Sequence, residues 1–251
     1  MRKTAIVTGA SSGIGRALAI KLAENGYDLV ITGRRTDRLA DLEKELKKAG
    51  ADVLSLVFDV SKCEEVKSNL GTLSGKWAKI DLLVNNAGGA LGKEPIQEGA
   101  IEDWDRMIDT NVKGLLYVSR IILPMMCRNN GGHIVNLCSI AGKQVYAEGN
   151  VYCASKHAVD AISKAIRIDA LPYGVKVTNI CPGAVETEFS IVRFHGDEEK
   201  AAATYKGFTP LTAEDIADTI YYCVSLPAHV CINDLTIMPT AQADSAHFFK
   251  K

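Results

Sequence analysis

The chain has 251 residues, 47% hydrophobic and 24% charged, which is the balance of an ordinary globular protein and enough chain for one α/β domain with a large core. Its 29 basic and 30 acidic residues leave a formal charge of -1. No overall field gathers nucleic acid or anionic lipid, so the expected partners are small molecules and further copies of the chain. No apolar run approaches the roughly 18 residues of a membrane span, and the N-terminus lacks a signal-peptide plan, so a cytoplasmic protein is expected.

Short β-branched runs recur along the chain at Thr4–Thr8, Asp28–Thr32, Val53–Phe58, Leu82–Val84, Ile134–Cys138, Val175–Cys181 and Leu235–Met238, and read as seven strands. Between them lie helical patterns such as Arg38–Lys48, with leucines three and four residues apart, and Asn150–Leu171. Strand and helix in alternation predict a Rossmann-type, doubly wound parallel seven-stranded sheet in a single domain spanning 1–251. Residues 187–209 follow the sixth strand, are mixed and charged, and exceed a normal connection. They are read as a substrate lid, with a solvated excursion as the alternative. Seven cysteines without regular spacing and scattered histidines predict reduced thiols and no metal centre.

The first strand runs into Thr8, then Gly9, Ala10, Ser11, Ser12, Gly13, Ile14 and Gly15. A glycine-rich turn opening a helix offers free N–H groups and a positive dipole end to a pyrophosphate. On its own, a tight turn could use the same residues. The second strand ends at Arg34 and Arg35, where the adenosine ribose of a dinucleotide lies. Two guanidinium groups with no acid beside them favour a 2′-phosphate and hence NADP; the alternative is a pair of solvated residues opening a helix. Asp59 and Val60 after the third strand, and Asn86, Ala87 and Gly88 after the fourth, extend the same line of strand ends. Each is either pocket wall or local cap and turn.

At the other end of the sheet, Ser139 closes the fifth strand, and Tyr152 and Lys156 stand four residues apart on one helix face. A tyrosine has an ordinary pKa of about 10, and Lys156 with an oxidised nicotinamide are the positive charges expected to lower it. Ser139 and Tyr152 then hold a carbonyl oxygen while Tyr152 moves the proton. Asn111, polar within an apolar helical run, is read either as the holder of a proton-relay water or as a satisfied buried amide.

These segments, TGASSGIG, NNAG, the Asn111 helix, Ser139, YCASK and Pro182 to Thr187, resemble the short-chain dehydrogenase/reductase family in order and spacing over the whole chain. The resemblance implies a catalytic tetrad of Asn111, Ser139, Tyr152 and Lys156. It also implies a nicotinamide ribose contact at Lys156, a carboxamide site formed by Pro182, Gly183, Val185 and Thr187, and a homotetramer. The last third (VETEFSIVRFHGDEEKA, TYKG, LTAEDIADTI) resembles the family's NADP-dependent 3-hydroxy acid dehydrogenases, which implies short hydroxy acids or their semialdehydes as substrates. A 3-oxoacyl carrier-protein reductase, a general carbonyl reductase and a silent NADP-sensing protein are the rivals. A hydroxy acid needs a cation for its carboxylate, because an unpaired buried charge is costly. Arg193 is the candidate, with apolar neighbours expected to anchor it; a surface ion pair with Glu198 or Glu199 is the alternative.

Overall fold

Strands buried on both faces carry near-continuous apolar runs, and those runs fold here into one all-parallel sheet. The computed structural model describes residues 2–251. Strands β1 (Lys3–Val7), β2 (Tyr27–Gly33), β3 (Val53–Val57), β4 (Leu82–Asn85), β5 (Gly132–Leu137), β6 (Val175–Pro182) and β7 (Asp234–Ile237) lie in the order β3-β2-β1-β4-β5-β6-β7. The period of two divides each strand between two cores. Ala5 and Val7 face a layer made by helices α1 (Gly13–Glu24) and α2 (Thr36–Lys48) together with the late helix 213–225, through Leu18, Leu22, Leu42 and Ile220. Ile6 faces the opposite layer, where α3 (Cys63–Leu70) contributes Val66 and the helices at 115–128 and 150–170 contribute Ile122 and Ile166.

The chain winds outward from β1 to β3 and then returns to β4 beside β1, pairing Val7 with Val84. That reversal opens a crevice beyond the carboxyl ends of β1 and β4, where ligands of such sheets bind. On the layer beneath it, α4 (Ile101–Ile108) passes through a π turn at Asp109–Gly114 into α5 (Leu115–Arg128), and α6 spans Asn150–Ala170.

The strands and helices read from the sequence are all present, and the differences lie at their ends. α2 begins two residues earlier than Arg38, β7 is shifted one residue toward the N-terminus, and α6 yields at Leu171 to a single 3₁₀ turn closed by left-handed Gly174. The 187–209 segment is more ordered than its pattern suggested. It holds α7 (Phe189–Arg193) and α8 (Glu198–Ala203), and Tyr205 pins it to the exit of β6 through Ser190 Oγ at 2.7 Å and the Val185 carbonyl at 2.9 Å. After it comes α9 (Ala213–Ser225), the late helix of the first layer. The C-terminal tail folds back on the segment, with Phe248 against Phe208 and the Lys251 N–H donating to the Gly207 carbonyl. Among the described residues no helix is long and apolar enough to cross a membrane.

Candidate active site

Between β1 and α1 the backbone itself forms a cradle. Gly9 has φ +66°, and a Cβ there would lie 2.9 Å from the Ala87 Cα, so the turn needs glycine both for its conformation and for its approach to the β4 loop. A cleft of about 290 Å³ runs past Gly9, Ser11, Ser12, Gly13 and Ile14. Asp59, Val60 and Asn86 to Gly88 form its wall, Arg34 and Arg35 stand at one end, and Thr187 closes over Gly13, where an added Cβ would lie 3.4 Å from the threonine side chain. Gly15 does not line it. A Cβ on Gly15 would fall 2.5 Å from the Gly9 carbonyl oxygen, so this glycine serves close packing beneath the turn. Asn86 donates to the Thr8 carbonyl at 2.8 Å and the Gly9 carbonyl at 3.2 Å, locking the turn from below.

The two arginines differ. Arg34 leaves 67% of its side chain exposed and stands 3.7 Å from Asp59, close to the solvated reading. Arg35 turns into the cleft, where Nη2 donates to Ser11 Oγ and Ser12 Oγ, and Nη1 donates to Glu188 at 2.8 Å. Asp59 combines both of its proposed parts: it lines the cleft and also accepts from the Ser61 N–H at 2.9 Å. Burial works to raise its carboxyl, but the Ser61 bonds and Arg34 hold it below its ordinary value.

A second cleft, of about 560 Å³, shares Asn86, Gly88 and Thr187 with the first. Ser139, Tyr152, Lys156 and the run Pro182 to Val185 line it. Ser139 is fixed by accepting the Ala141 N–H at 3.1 Å where β5 ends. α6 delivers Tyr152 beside it, buried, with Phe189 of α7 edge-on at 5.7 Å. Lys156 donates from Nζ to the Leu137 carbonyl at 2.8 Å and stands 5.9 Å from the centre of the Tyr152 ring.

Without the nicotinamide, burial dominates the protonation of the site. Burial pushes the Tyr152 phenol upward, Tyr146 adds to this, and Ser139 and Arg193 oppose it. Burial lowers the pKa of Lys156, against the pull of the Cys138 and Cys181 thiols. In the folded chain, then, Tyr152 is a protonated donor.

Asn111 sits in the π turn rather than in a regular helix, and its amide is fully engaged. Nδ2 donates to the Gly89 carbonyl at 2.8 Å and to Ser155 Oγ at 3.0 Å, while Oδ1 accepts the Gly89 N–H at 2.9 Å. The side chain therefore ties the β4 loop to α6, as in the satisfied-amide reading. It also reaches the other site residues: a Cβ on Gly88 would lie 2.9 Å from its Oδ1 and 3.7 Å from Lys156 Nζ.

Arg193 lines the second cleft. Nη1 donates to Tyr146 Oη at 2.9 Å, Nε donates to the Gly92 carbonyl at 3.1 Å, and the guanidinium lies 5.6 Å from the ring centres of both Tyr146 and Tyr152. No ion pair with Glu198 or Glu199 forms among the described residues. Of the apolar neighbours expected to anchor the segment, Ile191 and Val192 are exposed while Phe194 is half-buried in the cleft wall, and Tyr146 holds the guanidinium itself. Sequence reasoning missed Tyr146, Phe189 and Glu188, which meet their partners only through the fold.

A profile of the family described as short chain dehydrogenase matches residues 3–197. The chain is 47% identical over 239 residues to the NADP-dependent 3-hydroxy acid dehydrogenase YdfG of Salmonella typhi, covering 95% of each protein. It is 44% identical over 247 residues to sulfoacetaldehyde reductase 2 of Chromohalobacter salexigens, covering 98% of each. Among solved structures, a closed form of serine dehydrogenase complexed with NADP+ superposes with a TM-score of 0.92 at 42% identity, covering 99% of both chains.

Proposed function

The chain belongs to the short-chain dehydrogenase family, and on that premise we propose that it is an NADP-dependent oxidoreductase interconverting short 3-hydroxy acids and their semialdehydes. NADP fits the first cleft, because the Gly9 turn leaves space that a Cβ would close and Arg35 turns a guanidinium to the end where an adenosine ribose lies. Gly9, Ser11, Ser12, Gly13 and Ile14 hold the pyrophosphate; Arg34 and Arg35 hold the 2′-phosphate. Asp59 and Val60 meet the adenine, and Asn86, Ala87 and Gly88 the ribose wall. Lys156 binds the nicotinamide ribose, and Pro182, Gly183, Val185 and Thr187 the carboxamide. When bound, the nicotinamide donates or accepts the hydride.

The chain's own side chains handle the rest. Ser139 and Tyr152 hydroxyls hold the substrate oxygen, and Tyr152, kept protonated by burial, gives its proton to that oxygen during reduction. In oxidation Tyr152 first releases its proton to solvent, the phenolate being favoured by Lys156 and the oxidised cofactor when bound, and then accepts the proton of the substrate hydroxyl. Asn111 acts as a positioning residue that holds the β4 loop against α6. Arg193 binds the substrate's acid group through the N–H groups of Nη2, which neither Gly92 nor Tyr146 engages. Residues 187–209 act as the lid over both clefts. The enzyme works in the cytoplasm as a homotetramer.

The observation that carries this reading is a guanidinium stacked 5.6 Å from the ring of the buried tyrosine, in the cleft that also holds Ser139. The names of relatives acting on a carboxylic and a sulfonic substrate support an anionic one. NADP+ reduction measured with L-serine, D-serine, L-allo-threonine, 3-hydroxypropionate and 3-hydroxyacyl thioesters tests it. Free hydroxy acids are expected to be oxidised faster than thioesters; the reverse order would assign the chain to the carrier-linked reductases.

A further inference from the structure

The cation that the preceding reading gives to the 2′-phosphate is already engaged by an anion of the chain itself. Glu188 directly precedes α7 and follows Thr187, which lies against Gly13. Its Oε2 accepts from Arg35 Nη1 at 2.8 Å and its Oε1 from Arg38 Nη1 at 2.5 Å. It lines the same cleft as Ser11, Ser12 and Arg34. Arg35 and Arg38 hold its carboxyl below the ordinary glutamate value, so it is ionised at neutral pH. Nε and Nη2 of Arg35 donate to the Ser11 and Ser12 hydroxyls, so beyond the N–H given to Glu188 a single Nη1 N–H remains for another anion.

We propose that Glu188 is a specificity-determining counter-anion, which competes with the 2′-phosphate of the nucleotide for Arg35 and so limits how tightly phosphorylated cofactors bind. The inference rests on the assignment of Arg35 to that phosphate. A phosphate reaching Arg35 either displaces the carboxylate or shares the guanidinium with it, and both outcomes weaken binding of the phosphorylated nucleotide. Two anions sharing one guanidinium lie about 5 Å apart, and their repulsion in a half-exposed site is worth roughly tenfold in affinity. A nucleotide without the phosphate has no such competitor. Arg34 facing Asp59 at 3.7 Å repeats the arrangement more weakly at the cleft's outer edge.

Calorimetric titration of 2′,5′-ADP and 5′-AMP into wild type, Glu188→Gln and Glu188→Ala tests this without turnover. Both variants are expected to bind 2′,5′-ADP about tenfold more tightly, with 5′-AMP affinity within twofold of wild type. Unchanged or weaker 2′,5′-ADP binding, or equal tightening for both nucleotides, would overturn the proposal while leaving the phosphate site intact. A wild-type protein that binds 2′,5′-ADP no better than 5′-AMP would instead remove the assignment of Arg35, and this inference with it.

Discussion

Replacing Arg193 by Met separates the binding of an acid group from the rest of catalysis. The arginine's own contacts are two hydrogen bonds, to Gly92 and Tyr146, and stacking over the Tyr146 and Tyr152 rings. Methionine keeps much of the apolar contact, so the loss common to all substrates is about 0.5–1 kcal/mol from the cation–π interaction, or two- to fivefold. Hydroxy acids lose in addition a charge-assisted bond to a largely desolvated carboxylate, about 2–5 kcal/mol. With tenfold per 1.4 kcal/mol, kcat/KM for 3-hydroxypropionate or serine falls by roughly 30- to 3000-fold beyond that common loss. Steady-state kinetics with these acids and with uncharged short alcohols or aldehydes provide the comparison. Equal losses for charged and uncharged substrates would refute the assignment and leave Arg193 as a structural link between the lid and Tyr146.

Four further substitutions probe other residues. Arg35→Ala is expected to weaken NADP+ relative to NAD+ by about tenfold or more, and Arg34→Ala by much less because that side chain is largely solvated; the ratio of kcat/KM for the two cofactors checks this, and equal effects would contradict it. Tyr152→Phe should retain NADP+ affinity by fluorescence titration while losing about 100- to 10,000-fold in turnover, and near-normal turnover would exclude Tyr152 as the proton donor. His133 is buried and bonded through Nε2 to Thr178 at 2.7 Å, while its Nδ1 has no partner, and burial with Lys176 pushes its pKa down from 6.5 to about 3. The unfolded chain therefore takes up a proton near pH 6.5 that the fold refuses, so stability should fall as pH drops from 6.5 towards 3, by up to about 1.4 kcal/mol per pH unit. Urea denaturation should show a shallower decline in His133→Gln, and parallel curves would contradict this origin.

The sheet was legible because the central strands are dominated by apolar, β-branched runs, and because glycines punctuate the units. Ser139, Tyr152 and Lys156 were legible for a local reason: a strand end and one helix face bring them together with little help from the rest of the chain. The π turn was hidden, since one shifted hydrogen-bond register inside a continuous helical pattern leaves the apolar period nearly unchanged. The Arg35–Glu188 pair joins residues 153 positions apart, which no spacing reveals. Arg193 was found as a cation beside apolar residues, but its true anchor, Tyr146, lies 47 positions away on the other wall of the cleft. Tyr152 shows the opposite limit: its position was readable, whereas the upward push on its phenol depends on how completely the fold buries it.

The central claim is that hydride passes between the carbinol carbon of a short 3-hydroxy acid and NADP. It is tested most directly with 3-hydroxypropionate carrying deuterium at C3, incubated with NADP+ and enzyme, with the NADPH analysed by mass spectrometry. Each NADPH formed is expected to carry one deuterium, with no such product from Tyr152→Phe on the same timescale. Unlabelled NADPH, or no NADPH from the hydroxy acid at an enzyme concentration that turns over an uncharged alcohol, would contradict it.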